Sequence, residues 1–166
     1  MRGLDTDPYQ NAERNVAVGY RSMYQIKSNA TNSTTNNTAI GYGSMFNING
    51  GKYNTSIGYQ SLYDLDNGER NTALGYMALQ NNTSGSYNTG SGMYSLNNTT
   101  TGSYNTALGY AAGYSNSSGE KNVFLGYHAS YNETGSNKLY ISNSSTATPL
   151  IKGDFSTDEL EIKAIT

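Results

Sequence analysis

Side chains that could catalyse a reaction or hold a metal are few in this chain of 166 residues. His128 is the only histidine and there is no cysteine, so we expect neither a zinc site nor an ordinary catalytic triad. Carboxylates alternate in Asp64-Leu65-Asp66-Asn67-Gly68-Glu69, as they do in a calcium loop, but the spacing is short and the stretch falls in a turn. We therefore expect no enzyme, no metal and no cofactor.

The dominant feature of the sequence is a short phrase, typified by Asn-Thr-Ala-Leu-Gly-Tyr, that occurs seven times. The copies begin at Asn15, Asn37, Asn54, Asn71, Asn88, Asn105 and Asn122, so one step of 22 residues is followed by steps of 17. Such a period indicates stacked coils. Each coil has room for two strands of four to five residues and two turns, but not for a useful helix. The sequence predicts an all-β fold, a parallel β-solenoid or β-roll with 17-residue coils.

Several positions of the repeat form columns along the predicted rod. The fifth position of the phrase is always glycine: Gly19, Gly41, Gly58, Gly75, Gly92, Gly109 and Gly126. An aliphatic residue usually precedes it, a tyrosine usually follows it, and Met or Leu usually comes three residues after the tyrosine. We expect the glycine to exclude a Cβ atom, through a positive φ or a close backbone. Gly75→Val should then be more damaging than Gly85→Val in an exposed turn.

The apolar columns bear on oligomeric state. Strand alternation places Thr72 and Leu74 on one side and Asn71 and Ala73 on the other, and we expect Leu74 in the core. Only 35% of residues are hydrophobic, yet two apolar columns serve one narrow coil. One column can fill the interior, and the other is expected to face a partner chain of a homo-oligomer.

The phrase Asn-Thr-Ala-Leu-Gly-Tyr-x-Ala-Leu resembles the head repeats of trimeric autotransporter adhesins and, more closely, repeats of tail-fibre-like proteins of bacteria and their phages. The stretches 137–143 and 149–155 are similar to the segment that ends many such fibres, often before a self-cleaving chaperone domain, and none follows Thr166. The resemblance covers residues 15–155. It implies left-handed β-rolls intertwined as a homotrimer. It also implies an extracellular adhesin or receptor-binding appendage, at a cell surface or a virion tail-fibre tip, that binds a glycan or protein receptor of a target cell.

Three segments are predicted: an N-terminal cap or connector (1–14), the seven-repeat solenoid (15–131) and a C-terminal closing or tip segment (132–166). The net charge is −2 and no basic stripe occurs, so we expect no nucleic-acid partner. No run of about 18 apolar residues occurs, so we expect no membrane insertion. No apolar leader follows Met1.

Recognition is expected where the repeat breaks: at the insertion 27–36, in the fifth copy (Gly90, Ser91, Met93) and at the end, 127–143. The end is preferred, with Tyr127, His128 and Tyr131 as the ligand-binding residues. Phe124 also departs from the pattern there. Alternatively, these changes cap the rod against edge-to-edge growth.

Two columns allow other functions. The tyrosine column can be a sugar-stacking surface or a purely structural stack. The threonine column raises ice binding, which its place beside the aliphatic column disfavours; its members are Thr38, Thr55, Thr72, Thr89 and Thr106. A structural spacer rod is the main alternative to an adhesin.

Overall fold

The computed structural model describes residues 12–27, 33–145 and 148–163. Within these ranges the chain is all-β without a helix, and it winds into a parallel β-solenoid of about six turns with coils of about 17 residues. The predicted all-β parallel solenoid with 17-residue coils is therefore confirmed, and its intertwining as a homotrimer stays a prediction. Most of the predicted cap (1–14) and half of the insertion 27–36 lie outside the described residues.

Thirteen short strands in the described residues make two sheets. Their bounds are β1 Val16–Val18, β2 Gln25–Ile26, β3 Thr38–Ile40, β4 Asn47–Ile48, β5 Thr55–Ile57, β6 Asp64–Leu65, β7 Thr72–Leu74, β8 Thr89–Ser91, β9 Thr106–Leu108, β10 Val123–Leu125, β11 Lys138–Ile141, β12 Ile151–Asp154 and β13 Glu159–Ile162. The larger sheet has the order β1-β3-β5-β7-β8-β9-β10-β11-β12-β13, and the smaller one has the order β2-β4-β6. Equivalent residues pair in register from β1 to β10, for example Thr55 with Thr72.

The strands are shorter than the four to five residues expected, because corners occupy much of each coil. In the fourth coil the backbone is left-handed at Arg70, Met77 and Leu79, with φ of 55°, 52° and 51°. Left-handed backbone is uncommon outside glycine. Here the stacked coils impose it on ordinary residues at the same positions in successive repeats, a feature that turn composition does not reveal.

The interior of the coil is the side opposite to the one expected. Asn71 and Ala73 are completely buried, whereas Leu74 retains 37% of its exposure. The predicted alternation of faces is confirmed, but the placement of Leu74 in the chain's own core is wrong. The core is filled by an inner column of long apolar side chains: Met23, Met45, Leu62, Leu79 and Leu96. Alanine suits the facing wall because the coil is too narrow for two large side chains.

A ladder of buried asparagines holds successive coils together. The Oδ1 atom of Asn54 accepts hydrogen bonds from the backbone N (2.8 Å) and Nδ2 (3.1 Å) of Asn71. The Nδ2 atom of Asn71 also donates to the Gly85 carbonyl (2.9 Å), and its Oδ1 accepts from the backbone N of Asn88 (2.9 Å). Each amide is thus satisfied by its neighbours, which removes the usual penalty of burying a polar group.

The invariant glycine lies at a corner of the coil where a positive φ and a close neighbouring backbone both exclude a side chain. Gly75 has φ +136°, and a Cβ atom there would lie 2.7 Å from the carbonyl oxygen of Gly92 in the next coil. The expectation that Gly85 lies in an exposed turn is wrong. Gly85 is buried, and its Cβ would collide with the Gly102 carbonyl oxygen and lie 2.7 Å from Oδ1 of Asn82.

Two departures from the repeat compensate each other inside the rod. Gly113 replaces Leu in the inner column, and the ring of Phe124 fills the space: a Cβ at Gly113 would lie 2.8 Å from Cε2 of Phe124. Phe124 is completely buried. Its departure from the pattern is therefore a matter of core volume and not of recognition.

The rod ends in an antiparallel turn-back. β11 pairs in parallel with β10, whereas β12 and β13 add in antiparallel order. Lys138 Nζ lies 2.5 Å from Asp154 Oδ2. This hydrogen bond, together with bonds from Ser156, lowers the pKa of Asp154 below its usual value. The described residues include no helix able to cross a membrane.

Candidate functional site

Two aromatic columns run along one side of the rod. The first comprises the tyrosines that follow the invariant glycine; Tyr42 and Tyr59 stack at 5.2 Å between ring centroids, and Tyr59 and Tyr76 at 4.9 Å. The second lies four residues further along each coil, and there Phe46 and Tyr63 stack at 4.9 Å. The predicted ring-over-ring stacking of the tyrosine column is therefore present, at the spacing of stacked coils.

The second column loses its ring at Gln80 in the fourth coil, and both columns lack a ring in the fifth. Met93 stands in the first column and Asn97 in the second, so neither offers a ring for stacking. The aromatic side chain has moved to Tyr94, one position after Met93. It contacts Tyr76 edge-on at 5.5 Å, with an angle of 83° between the ring planes. The Tyr94 ring therefore stands across the direction in which the other rings stack.

Tyr94 belongs to a middle column that lies between the two aromatic columns in sequence. Its members are Arg21, Gly43, Gln60, Met77, Tyr94, Ala111 and His128. Ala111 is thus a small residue placed one coil from Tyr94 and one coil from His128. Those two rings are two coils apart, about 10 Å along the rod.

This arrangement leaves a depression of about 330 Å³ lined by Tyr94, Tyr110, Ala111, Tyr114, His128 and Tyr131. Tyr94 lies edge-on to Tyr110 and to Tyr114, with 6.2 Å between centroids in each case. Tyr114 stacks on Tyr131 at 4.8 Å, and Tyr110 stacks on His128 at 5.1 Å. We call this feature the aromatic depression.

The residues predicted to bind a ligand lie together at the aromatic depression. Tyr127 and His128 stack at 4.2 Å, and His128 and Tyr131 lie 4.9 Å apart at an angle of 39°. His128 and Tyr131 line the depression, and Tyr127 supports it from behind the His128 ring. The juxtaposition follows from the tight turn after Gly126, which places all three on one corner of the last coil. No ligand contact tests the prediction.

Sequence reasoning missed the other half of this site. Tyr94, Tyr110, Ala111 and Tyr114 come from the two preceding coils, and the break in the fifth copy was treated as separate from the break at the end. The available signal was the middle column, in which a small residue stands between two rings at a spacing of 17 residues.

The aromatic depression is electrically neutral. No Asp, Glu, Lys or Arg side chain is among its lining residues in the described part of the chain. Desolvation by partial burial, and then the neighbouring Tyr76, raise the pKa of Tyr94 above its usual value. The Tyr94 hydroxyl therefore remains protonated at neutral pH and can both donate and accept a hydrogen bond. Hydroxyl groups beside ring faces suit a ligand with polar groups around an apolar face.

The acidic turn considered for calcium is organised differently. Asp64 Oδ1 accepts a hydrogen bond from Asn47 Nδ2 (2.5 Å), and Asp66 Oδ1 accepts one from Asn49 Nδ2 (2.7 Å). Glu69 pairs with Lys52 and Arg70. The described residues contain no cluster of three or more His, Cys, Asp or Glu side chains suited to a metal. These carboxylates continue the coil-to-coil contacts at the surface.

Comparisons with models of protein families, with curated proteins and with solved structures find no match to this chain.

Proposed function

We propose that three identical copies of this chain form an extracellular fibre that binds receptors on a target cell, as an adhesin or a tail-fibre-like appendage. The observation that carries the proposal is an uncovered apolar stripe on the larger sheet. Its exposed members, with their exposed fractions, are Val16 50%, Val18 54%, Ile40 37%, Ile57 41%, Leu74 37% and Leu108 55%. Ser91 interrupts the stripe in the fifth coil, but soluble monomers rarely leave apolar patches of this size in water.

Covering the stripe would supply a useful part of an association energy. Complete burial of an aliphatic side chain contributes about 2 kcal/mol, so the remaining exposure corresponds to about 1 kcal/mol at each position. Six positions then give about 5 kcal/mol per chain, which is comparable with the lower estimates of the cost of association. Three such stripes can meet around one axis, and their equal coil spacing lets them interdigitate in register.

The same arrangement favours multivalent recognition. The stripe lies on the strands that precede the glycine corner, whereas the aromatic depression lies beyond that corner. Packing of three stripes around an axis would therefore leave three depressions accessible, at the same height on the fibre. Several weak sites on one rigid body raise the overall affinity without new contacts.

Oligomeric state is tested first, by light scattering. We expect the mass to be three times the 17.9 kDa of the chain. Leu74→Asp should reduce the mass to that of one chain, because it places a charge in the stripe, while the circular dichroism of the folded rod persists. The matched variant Leu79→Asp should abolish folding itself, since Leu79 is completely buried within the chain. A monomeric wild-type protein would refute the fibre.

Receptor binding is tested next with the trimer on a glycan array and on a panel of cell-surface proteins. Reproducible binding to either is the expected result. A trimer that binds neither would support the main alternative, a structural spacer rod. Ice binding would need a flat face of threonines without aliphatic neighbours. The threonine column and the aliphatic stripe both lie on β3, β5, β7 and β9, which disfavours ice binding.

A further inference from the structure

We propose that the aromatic depression binds a single neutral pyranose ring of a cell-surface glycan; this inference rests on the proposed receptor-binding function. Its volume, about 330 Å³, equals roughly eleven water molecules at about 30 Å³ each. A hexose ring with its hydroxyl groups fits a space of this size. An extended peptide, which needs a groove several residues long, does not.

The ring geometry leaves aromatic faces for the apolar side of a sugar. In the first four coils, the tyrosines of the first column stack on nearly parallel rings of the next coil. Toward the fifth coil, the faces of Tyr110 and Tyr114 meet only the edge of Tyr94, at 6.2 Å. Because Met93 and Asn97 replace the expected rings, these two faces lack their stacking partners. The C–H groups on one face of a pyranose can occupy such positions.

The polar groups around the depression suit the remaining features of a sugar. Tyrosine hydroxyls and the imidazole of His128 lie beside the ring faces, and they can donate or accept hydrogen bonds from equatorial hydroxyl groups. The absence of charged side chains among the lining residues favours a neutral sugar over sialic or uronic acids.

Ala111 lines the floor of the depression and is only 2% exposed, so a longer side chain there would have to enter the space above it. Met77 occupies the same middle-column position in the fourth coil, with φ 52° against 51° at Ala111. Ala111→Met therefore introduces a side chain that the coil already accommodates elsewhere, and it should fill the depression without unfolding the rod. Gln60→Met is the matched control, since it makes the same residue at the same position of the third coil.

The experiment is saturation-transfer NMR on the full chain in its native oligomeric state. The probes are the methyl pyranosides of glucose, galactose and mannose, with methyl glucuronide and tetramethylammonium as competitors. We expect transfer to the ring C–H protons of at least one neutral pyranoside, with millimolar affinity because the ligand is small. Ala111→Met should weaken this binding at least about tenfold, and Gln60→Met should leave it unchanged.

Three results would overturn the inference: no transfer to any neutral pyranoside, transfer that Ala111→Met leaves intact, or binding of tetramethylammonium or glucuronide alone. Failure here is separable from failure of the proposed function. A trimer that still binds receptors on the array after Ala111→Met would retain the fibre function and reject only this site. A monomeric chain would reject the fibre whatever the sugar signal.

Discussion

Replacement of Gly75 by alanine tests the geometry of the coil corner directly. The φ of +136° lies outside the left-handed region that L-residues can enter, and strain of this kind costs about 1–3 kcal/mol. The new Cβ would also lie 2.7 Å from the carbonyl oxygen and 2.8 Å from the carbonyl carbon of Gly92. Relief requires moving backbone that is held in the next coil, where Gly92 N donates to Leu74 O at 2.8 Å. We expect a total loss of about 2–4 kcal/mol.

The control is the same substitution at Gly43, another glycine with positive φ. Its φ is +60°, the nearest atom to an added Cβ is Tyr63 Cε2 at 3.4 Å, and Gln60 occupies the same position in the next coil with φ 49°. Thermal unfolding followed by circular dichroism, at one fixed protein concentration, compares the two. At about 2–4 °C per kcal/mol, Gly75→Ala should lower Tm by about 4–16 °C. Gly43→Ala should change it by less than about 3 °C. Equal shifts would show that space and φ at the corner do not explain the glycine.

Two further perturbations probe the ladder and the end of the rod. Asn71→Ala removes the acceptor of Asn88 N and the donor to Gly85 O. Chemical denaturation should therefore show that the free energy of unfolding falls by about 2–5 kcal/mol. Asn132→Ala, at an exposed position, should change it little, and equal losses for the two variants would contradict the role of the asparagine ladder. The pKa of Asp154 is lowered in the folded chain by its ion pair with Lys138. This ion pair therefore stabilises the turn-back fully above about pH 4, the ordinary range for aspartate. The stabilisation is lost as the pH drops below that value. The protection factors of the β12 amides, which are corrected for the intrinsic pH dependence of exchange, should fall as the pH drops in the wild type, and an Asp154→Asn variant with the same pH dependence of protection would contradict this assignment.

The repeat predicted the solenoid because each 17-residue period of the sequence becomes one coil of the stack. It did not predict which face is interior. Hydrophobicity favours Leu74 inside and Asn71 outside, but the reverse holds, because the Asn71 amide is satisfied only by coils on either side. Such satisfaction appears only after the coils are stacked. The inner column was visible in the sequence, although its role was left open.

The candidate site was predicted in part for a similar reason. Tyr127, His128 and Tyr131 are close in the chain, so a break in the pattern was enough to single them out. Tyr94 is 34 residues from His128 in the sequence, and only the stacking of coils brings it to the same depression. Phe124 shows the opposite kind of error. Its departure from the repeat suggested a role in recognition, but its ring fills the space left in the core by Gly113.

The coil-to-coil direction of the hydrogen bonds gives the rod a mechanical response. Each coil adds about 4.8 Å to the length of the rod, yet its 17 residues span about 58 Å when pulled straight. A chain stretched from its ends would therefore lengthen by roughly 50 Å for every coil that peels away. Because the asparagine contacts repeat almost identically, successive coils should release at similar force. A rod built this way should yield stepwise under tension and absorb work while its remaining coils stay wound.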